Sequence, residues 1–274
     1  MSDKIPEKMP SISQEQAAFL AHLQRRKKAV LCLQIILLIA FFLLWEMAAG
    51  CGWIDPFIFS RPTALLETAV KMIQDGTLFL HICTTLWETV AGFLLGTIIG
   101  TLTAVLLWWN RFLSDVLEPY LVILNSLPKT ALAPIIIVWF GNNQRSIILV
   151  ALLTSVVVTI MSVLNGFLQV DENRIKLIRI FGGTKGQILS KVIFPANITC
   201  ILNALKINVG LSFVGVIVGE FLVAQNGLGF LITYSSQTFQ MSAVLLSVVI
   251  LALMAALMYS AISLLEKKFT KWQA

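Results

Sequence analysis

Long apolar runs alternate with short polar stretches along the 274 residues. A bilayer core takes about 20 apolar residues of helix to cross. On that measure spans are predicted at about 29–50, 83–108, 116–140, 146–170, 196–225 and 241–265. One interruption differs from the others. Residues 171–195, DENRIKLIRIFGGTKGQILSKVIFP, are polar and basic. Within them Ile175, Ile178 and Phe181 recur at helical spacing and predict a short helix with one apolar stripe. Gly182 and Gly183 end it, since glycine readily takes the left-handed conformation of a helix C-terminus. Thr184 and Gln187 have the spacing of a capping box and open a second helix. Ile188, Leu189 and Val192 give that helix an apolar face, and Pro195 fits the first turn of the next span. The stretch reads as a helical elbow with an apolar ridge and a basic rim.

Composition agrees with the pattern. Apolar residues make up 58% and charged residues 12%, against about 45–50% and about 25% in soluble domains. The expected fold class is an all-α membrane protein with six transmembrane helices. Its domains are a polar N-terminal segment, 1–28, and a six-helix transmembrane domain, 29–270. Ser13 and Gln16 mark a further capping box in the N-terminal segment. The net charge of +6 sits at the edges of apolar runs, a distribution that argues for a bilayer and against nucleic acid. Lys and Arg number six before the first span, one at Arg111, five in 171–195 and three at the C-terminus. The opposite side holds three: Arg61, Lys71 and Arg145. The positive-inside rule therefore predicts both termini and the elbow in the cytoplasm. Cys32, Cys51, Cys83 and Cys200 have no metal or redox spacing and read as small packing residues.

Several features lie inside the predicted spans. Gly92, Gly96 and Gly100 share one helix face and allow another backbone to approach. Pro128 and Pro134 interrupt the third span, and each frees a carbonyl that lipid cannot satisfy, so that helix belongs inside the bundle or beside a water-filled path. Lys129 and Lys206 each lie about 16 Å along a helix from a polar end, near the midplane. Glu46, Glu88 and Glu220 fall in the other half, so the lysines are expected to have no acid at their depth. They face either helix carbonyls and water or an anion in transit. Between the first two spans Pro62 predicts a short helix through Lys71, either interfacial or an ordinary connector. No G-x-x-x-x-G-K-[ST], Gly-x-Ser-x-Gly, His-Glu-x-x-His or Cys-x-x-Cys occurs. An intramembrane enzyme would need paired carboxylates, a Ser with a base or a metal set, and the acids look dispersed.

The 171–195 stretch also resembles the coupling loop of binding-protein-dependent ABC importer permeases. Gly182 and Pro195 match that loop's Gly and Pro at the family spacing, and Val192 and Phe194 stand for its Ile and Leu. Lys176, Leu177 and Ile178 depart from its Glu-Ala-Ala. SLPKTALAPIIIVWFG (Ser126–Gly141) and GEFLVAQNGLGFLI (Gly219–Ile232) resemble stretches of the sulfonate, taurine and nitrate branch. The resemblance covers roughly residues 30–270 and implies a permease in a bacterial cytoplasmic (inner) membrane. It implies Lys176, Arg179, Gly182, Gly183, Thr184 and Pro195 as the ATPase-coupling loop. It also implies Pro128, Lys129, Pro134, Lys206 and Glu220 along the translocation path. Expected partners are ABC ATPase subunits, an extracytoplasmic solute-binding protein and a second permease copy or homologue. ATP and Mg would be held by the ATPase, with no cofactor on this chain and no bond chemistry. The expected substrate is a small anion of the sulfonate, taurine or nitrate kind. Another small nutrient such as a vitamin precursor, or a different vitamin-importer architecture, is the alternative.

Overall fold

The computed structural model describes residues 14–270. The capping box at Ser13 falls outside them. Two compact units divide the chain after Ala64.

The first unit is built on α1 (Gln14–Gly50). Its stretch Lys28–Gly50 has the length and apolarity to cross a membrane, and its apolar window holds no buried residue. A helix apolar all round suits lipid rather than an aqueous surface. Asp55 caps α2 (Pro56–Phe59) through the Phe57 N–H. Glu46 accepts from the backbone N–H and hydroxyl of Thr63, so the α1 carboxylate holds the first turn of α3 (Pro62–Gln74).

The second unit opens with the remainder of α3, and α4 (Thr77–Trp109) then leads, through Asn110, into α5 (Arg111–Ser126). A 3-10 turn (Lys129–Leu132) and α6 (Ala133–Phe140) follow. Then come α7 (Gln144–Leu168), α8 (Glu172–Ile180) and α9 (Lys185–Ile188). A π turn (Leu189–Ile193) and α10 (Phe194–Ala196) precede α11 (Ile198–Val223). The chain closes with α12 (Leu228–Gln237) and α13 (Met241–Thr270). Among the described residues five helices can each cross a membrane, or six crossings arise if one bent pair counts as a span.

That pair corrects the expected third span. α5 and the segment Lys129–Phe140 meet at 88°. Pro128 bars the helical conformation from the residue before it, and Leu127 is extended at φ −68, ψ 139. Pro134 does not kink a helix either. It sits in the first turn of α6, where its missing N–H costs nothing.

α7 is the centre of the unit, with 61% of its apolar window buried. Gly92, Gly96 and Gly100 of α4 lie against Ala151, Ser155 and Thr159 of α7. A Cβ on Gly100 would stand 2.6 Å from that of Thr159, so these helices touch only because the stripe has no side chains. From α11, Gly215 and Gly219 meet Ala151 and Ile147 in the same way. Asn208 of α11 donates to Thr159 and Thr97, joining the three helices by side chains as well. The cysteines depart from expectation: Cys32, Cys51 and Cys83 are exposed, and only Cys200 is half-buried.

Candidate functional site

The elbow is ordered by its own sequence. Asp171 accepts from the Asn173 N–H and starts α8. At its end Gly182 takes φ +77, the Gly182 N–H donates to Arg179 O and the Gly183 N–H to Ile178 O. This is a Schellman closure, which satisfies the last carbonyls of a helix. A Cβ on Gly183 would collide with Ile178, whereas Gly182 has open space around it. Thr184 and Gln187 form both bonds of the capping box at 2.8 and 3.3 Å. Pro195 lies in α10 and not in the first turn of the membrane helix, which starts after Asn197. Lacking an N–H, Pro195 cannot continue the ladder. The widened π turn precedes it, and the Asn197 side-chain amide takes up Ile193 O at 2.9 Å.

The two faces of the elbow differ. Ile175, Ile178, Ile188 and Ile193 pack with Leu107, Val163, Leu164 and Phe167 at the ends of α4 and α7. Outward lie Leu177, Ile180 and Phe181, the last two 81% and 80% exposed. The predicted stripe is thus split: Ile175 and Ile178 face the core and Phe181 does not. Phe181 lies past the last helical residue, so the helical period no longer holds it to that face. A cavity of about 550 Å³ separates α8 and α9 from the α4–α5 corner, lined by Trp109, Arg111, Glu118, Lys176, Arg179 and Lys185 among others. Lys176 pairs with Glu172 one turn back at 3.3 Å, and both are exposed, so the pair adds little. Lys185 Nζ donates to Trp109 O at 3.4 Å.

The two membrane lysines are placed differently from expectation. Lys129 stands at the 88° corner and donates to Asn125 O and Oδ1 at 3.3 and 3.2 Å. Its depth cannot be counted along a straight helix. Lys206 has an acid partner after all: Glu266 of α13, with the Tyr259 ring 5.7 Å from Nζ. The acid was missed because it lies in the last turn and a half of α13, beyond the predicted end of the sixth span.

Glu220 has partners too. It is 1% exposed and accepts from Thr85 Oγ1 at 2.7 Å and from the Gly229 N–H. The Leu228 N–H donates to Thr85 Oγ1 at 2.7 Å and the Gly227 N–H to His81 Nδ1 at 3.0 Å. α12 is therefore held by its first backbone N–H groups, which a helix leaves without internal partners. Gly227, at φ +116, lets the chain pass over the carboxylate, where any Cβ would collide with it. Glu88, also 1% exposed, lies one turn along α4 from Thr85, and its Oε2 has no hydrogen-bond partner among the described residues. The Glu220 acceptors are directed at the Thr85 hydroxyl and a backbone N–H of α12, the arrangement of a joint. His81, Thr85 and Glu266 were not singled out from sequence as partners. The one available signal was that Glu88 and Glu220 are single acids in otherwise apolar runs.

The described residues form an all-helical, membrane-crossing bundle with an ordered polar elbow. Residues 92–271 match the family described as binding-protein-dependent transport system inner membrane component, and the chain belongs to it. It is a multi-pass protein of the bacterial inner membrane and an ABC importer permease subunit. It is 29% identical over 230 residues to an aliphatic sulfonates transport permease, SsuC, of Bacillus subtilis, covering 84% of this chain and 83% of the relative. It is 24% identical to the taurine permease TauC of Escherichia coli, covering 83% and 85%. It is 27% identical to the formylaminopyrimidine permease ThiX of Halalkalibacterium halodurans, covering 84% and 91%. The fold matches the inward-facing MetNI methionine ABC transporter with a TM-score of 0.64 at 20% identity, over 72% of this chain and 98% of the other.

Proposed function

We propose that this permease carries a small sulfonate- or taurine-like solute and is driven by a separate ATPase docked on the elbow. One observation supports the docking site above others. The elbow is bolted to the ends of α4 and α7 on one face and presents Leu177, Ile180 and Phe181 on the other. A partner gripping the outward face would move the helices that the inward face packs against. ATP and Mg belong to that partner, and this chain contributes motion and no bond chemistry. Both termini and the elbow lie in the cytoplasm, as the distribution of basic residues favours, with the bent pair counted as one crossing. A second permease copy or homologue completes the path, and a binding protein delivers the solute.

The substrate class is supported by the sulfonate and taurine relatives. ThiX favours a second reading, a pyrimidine vitamin precursor. The Lys206–Glu266 pair weakens the idea that Lys206 is a free cation awaiting an anion. Titrating the cognate binding protein with taurine, alkanesulfonates and formylaminopyrimidine decides between the two. For the docking site the experiment is co-purification of the ATPase with the parent and with Gly182→Glu. Loss of the ATPase with normal membrane insertion supports the site, and the normal ratio overturns it.

A further inference from the structure

The cavity of about 550 Å³ between the elbow and the α4–α5 corner has the volume of a small-molecule site, about 300–1,000 Å³. Its floor is apolar, with Leu107, Leu164 and Phe167 from the ends of α4 and α7. Its rim is charged. Lys176 and Glu172 satisfy each other, and Lys185 Nζ is held at Trp109 O. Four charged groups of the rim remain: Arg111, Asp115 and Glu118 of α5 and Arg179 of α8. Among the described residues no ion pair joins any of the four. Arg111 and Asp115 even stand four residues apart on one helix, a spacing at which charges can meet, and they do not.

Two cations thus line the cavity with two carboxylates. A purely anionic ligand would set its charge against Asp115 and Glu118, and a simple cation would face the arginines. A ligand carrying both signs satisfies all four. The place of the cavity selects among such ligands. Its floor belongs to helices that cross the bilayer, at the ends where they give way to polar chain. Trp109, the last residue of α4, lines it too, and tryptophan is enriched where membrane meets water. We infer that the cavity seats the headgroup of a zwitterionic phospholipid with a primary ammonium. The phosphate lies at Arg111 and Arg179, and the ammonium donates to Asp115 and Glu118. The apolar floor meets the start of the acyl chains. The proposal rests on the chain crossing a bilayer; neither the solute nor the side of the elbow enters it.

The test uses the purified full-length protein, stripped of lipid in detergent, with native mass spectrometry and dioleoyl lipids. One phosphatidylethanolamine per chain is expected, held about tenfold more tightly than phosphatidylglycerol, which has no ammonium to hydrogen-bond the carboxylates. Phosphatidylcholine, whose ammonium has no N–H to donate, should bind like phosphatidylglycerol. Asp115→Asn with Glu118→Gln keeps the side-chain shapes and should abolish the preference. Arg179→Gln should weaken all three lipids alike, since each carries the phosphate. Equal retention of the three lipids by the parent overturns the inference. So does a preference that survives in the Asp115→Asn, Glu118→Gln variant, because the ammonium then sits elsewhere. Soluble phosphoethanolamine that displaces the lipid at equal concentration also overturns it, since the cavity would then hold a free zwitterion.

Discussion

The bundle has two polar structures built on opposite logics. The elbow, 171–195, is polar outside and apolar inside, and its local caps would form in water. The α12 joint is polar inside and holds its helix with side chains from α4 and α11 that are far away in sequence. Removing a group has a different consequence in each. In the elbow, water replaces what is lost. In the joint nothing does, and a buried group left without a partner costs far more than the bond itself contributes.

This contrast orders the expected effects. Glu220→Ala should be the most severe change, since it strands Thr85 Oγ1 and the Gly229 N–H. A loss of about 3–5 kcal/mol is expected, as for breaking a buried charged contact, seen as a large fall in melting temperature. If Glu220→Ala melts like the parent, the joint does not carry α12.

Lys206→Met comes next. It leaves Glu266 without its cation in a mostly buried place, and should cost about 1–3 kcal/mol. Lys206→Met with Glu266→Gln should recover most of that. A double variant no better than the single one would show that the pair is not the relevant contact.

Gly182→Glu is smaller in stability and larger in assembly. Space around Gly182 is open, so the cost is the left-handed backbone alone, about 1 kcal/mol. Melting should hardly change while ATPase co-purification fails. Phe181→Ala should lie within about 0.5 kcal/mol of the parent, as for an exposed side chain, and still weaken the ATPase complex. A stability loss at Phe181 as large as that at Lys206 would erase the distinction between the two structures.

Sidedness gives the mildest test. In a cysteine-free background, a cysteine at exposed Gln237 should react with an impermeant reagent in intact cells, and one at Lys185 should not. Ser235 is buried, so it is unsuited to this labelling. The reverse pattern would invert the proposed orientation.

The same contrast explains what the sequence could reveal. The elbow was legible because its signals are local: the Gly182–Gly183 stop, the Thr184–Gln187 box and isoleucines at helical spacing. Five spans were legible from apolar length alone. The glycine stripe was visible, but not that it faces Ala151, Ser155 and Thr159. The joint was not legible. Thr85 and Glu220 are 135 positions apart, and only the seating of α4 and α11 on α7 brings them together. The corner at Leu127–Pro128 was half legible. Pro128 marks an interruption of the span, but nothing in the sequence says that it ends the helix at Leu127 and turns the chain. Glu266 was missed because a depth counted along single helices does not register two helices against each other.

That corner also decides arithmetic of a different kind. α5 is about 24 Å long and α6 about 12 Å, and each is shorter than the roughly 30 Å of hydrocarbon. Neither arm alone carries the chain from one leaflet to the other. The parity of the whole protein, odd or even, is set by whether the two arms together do so. Every loop after residue 140 inherits its side from that one dipeptide. Replacing Pro128 with Ala relieves the restriction on Leu127 and favours a single straight helix long enough to cross. If the later loops keep their sides after that change, the bent pair was already a crossing.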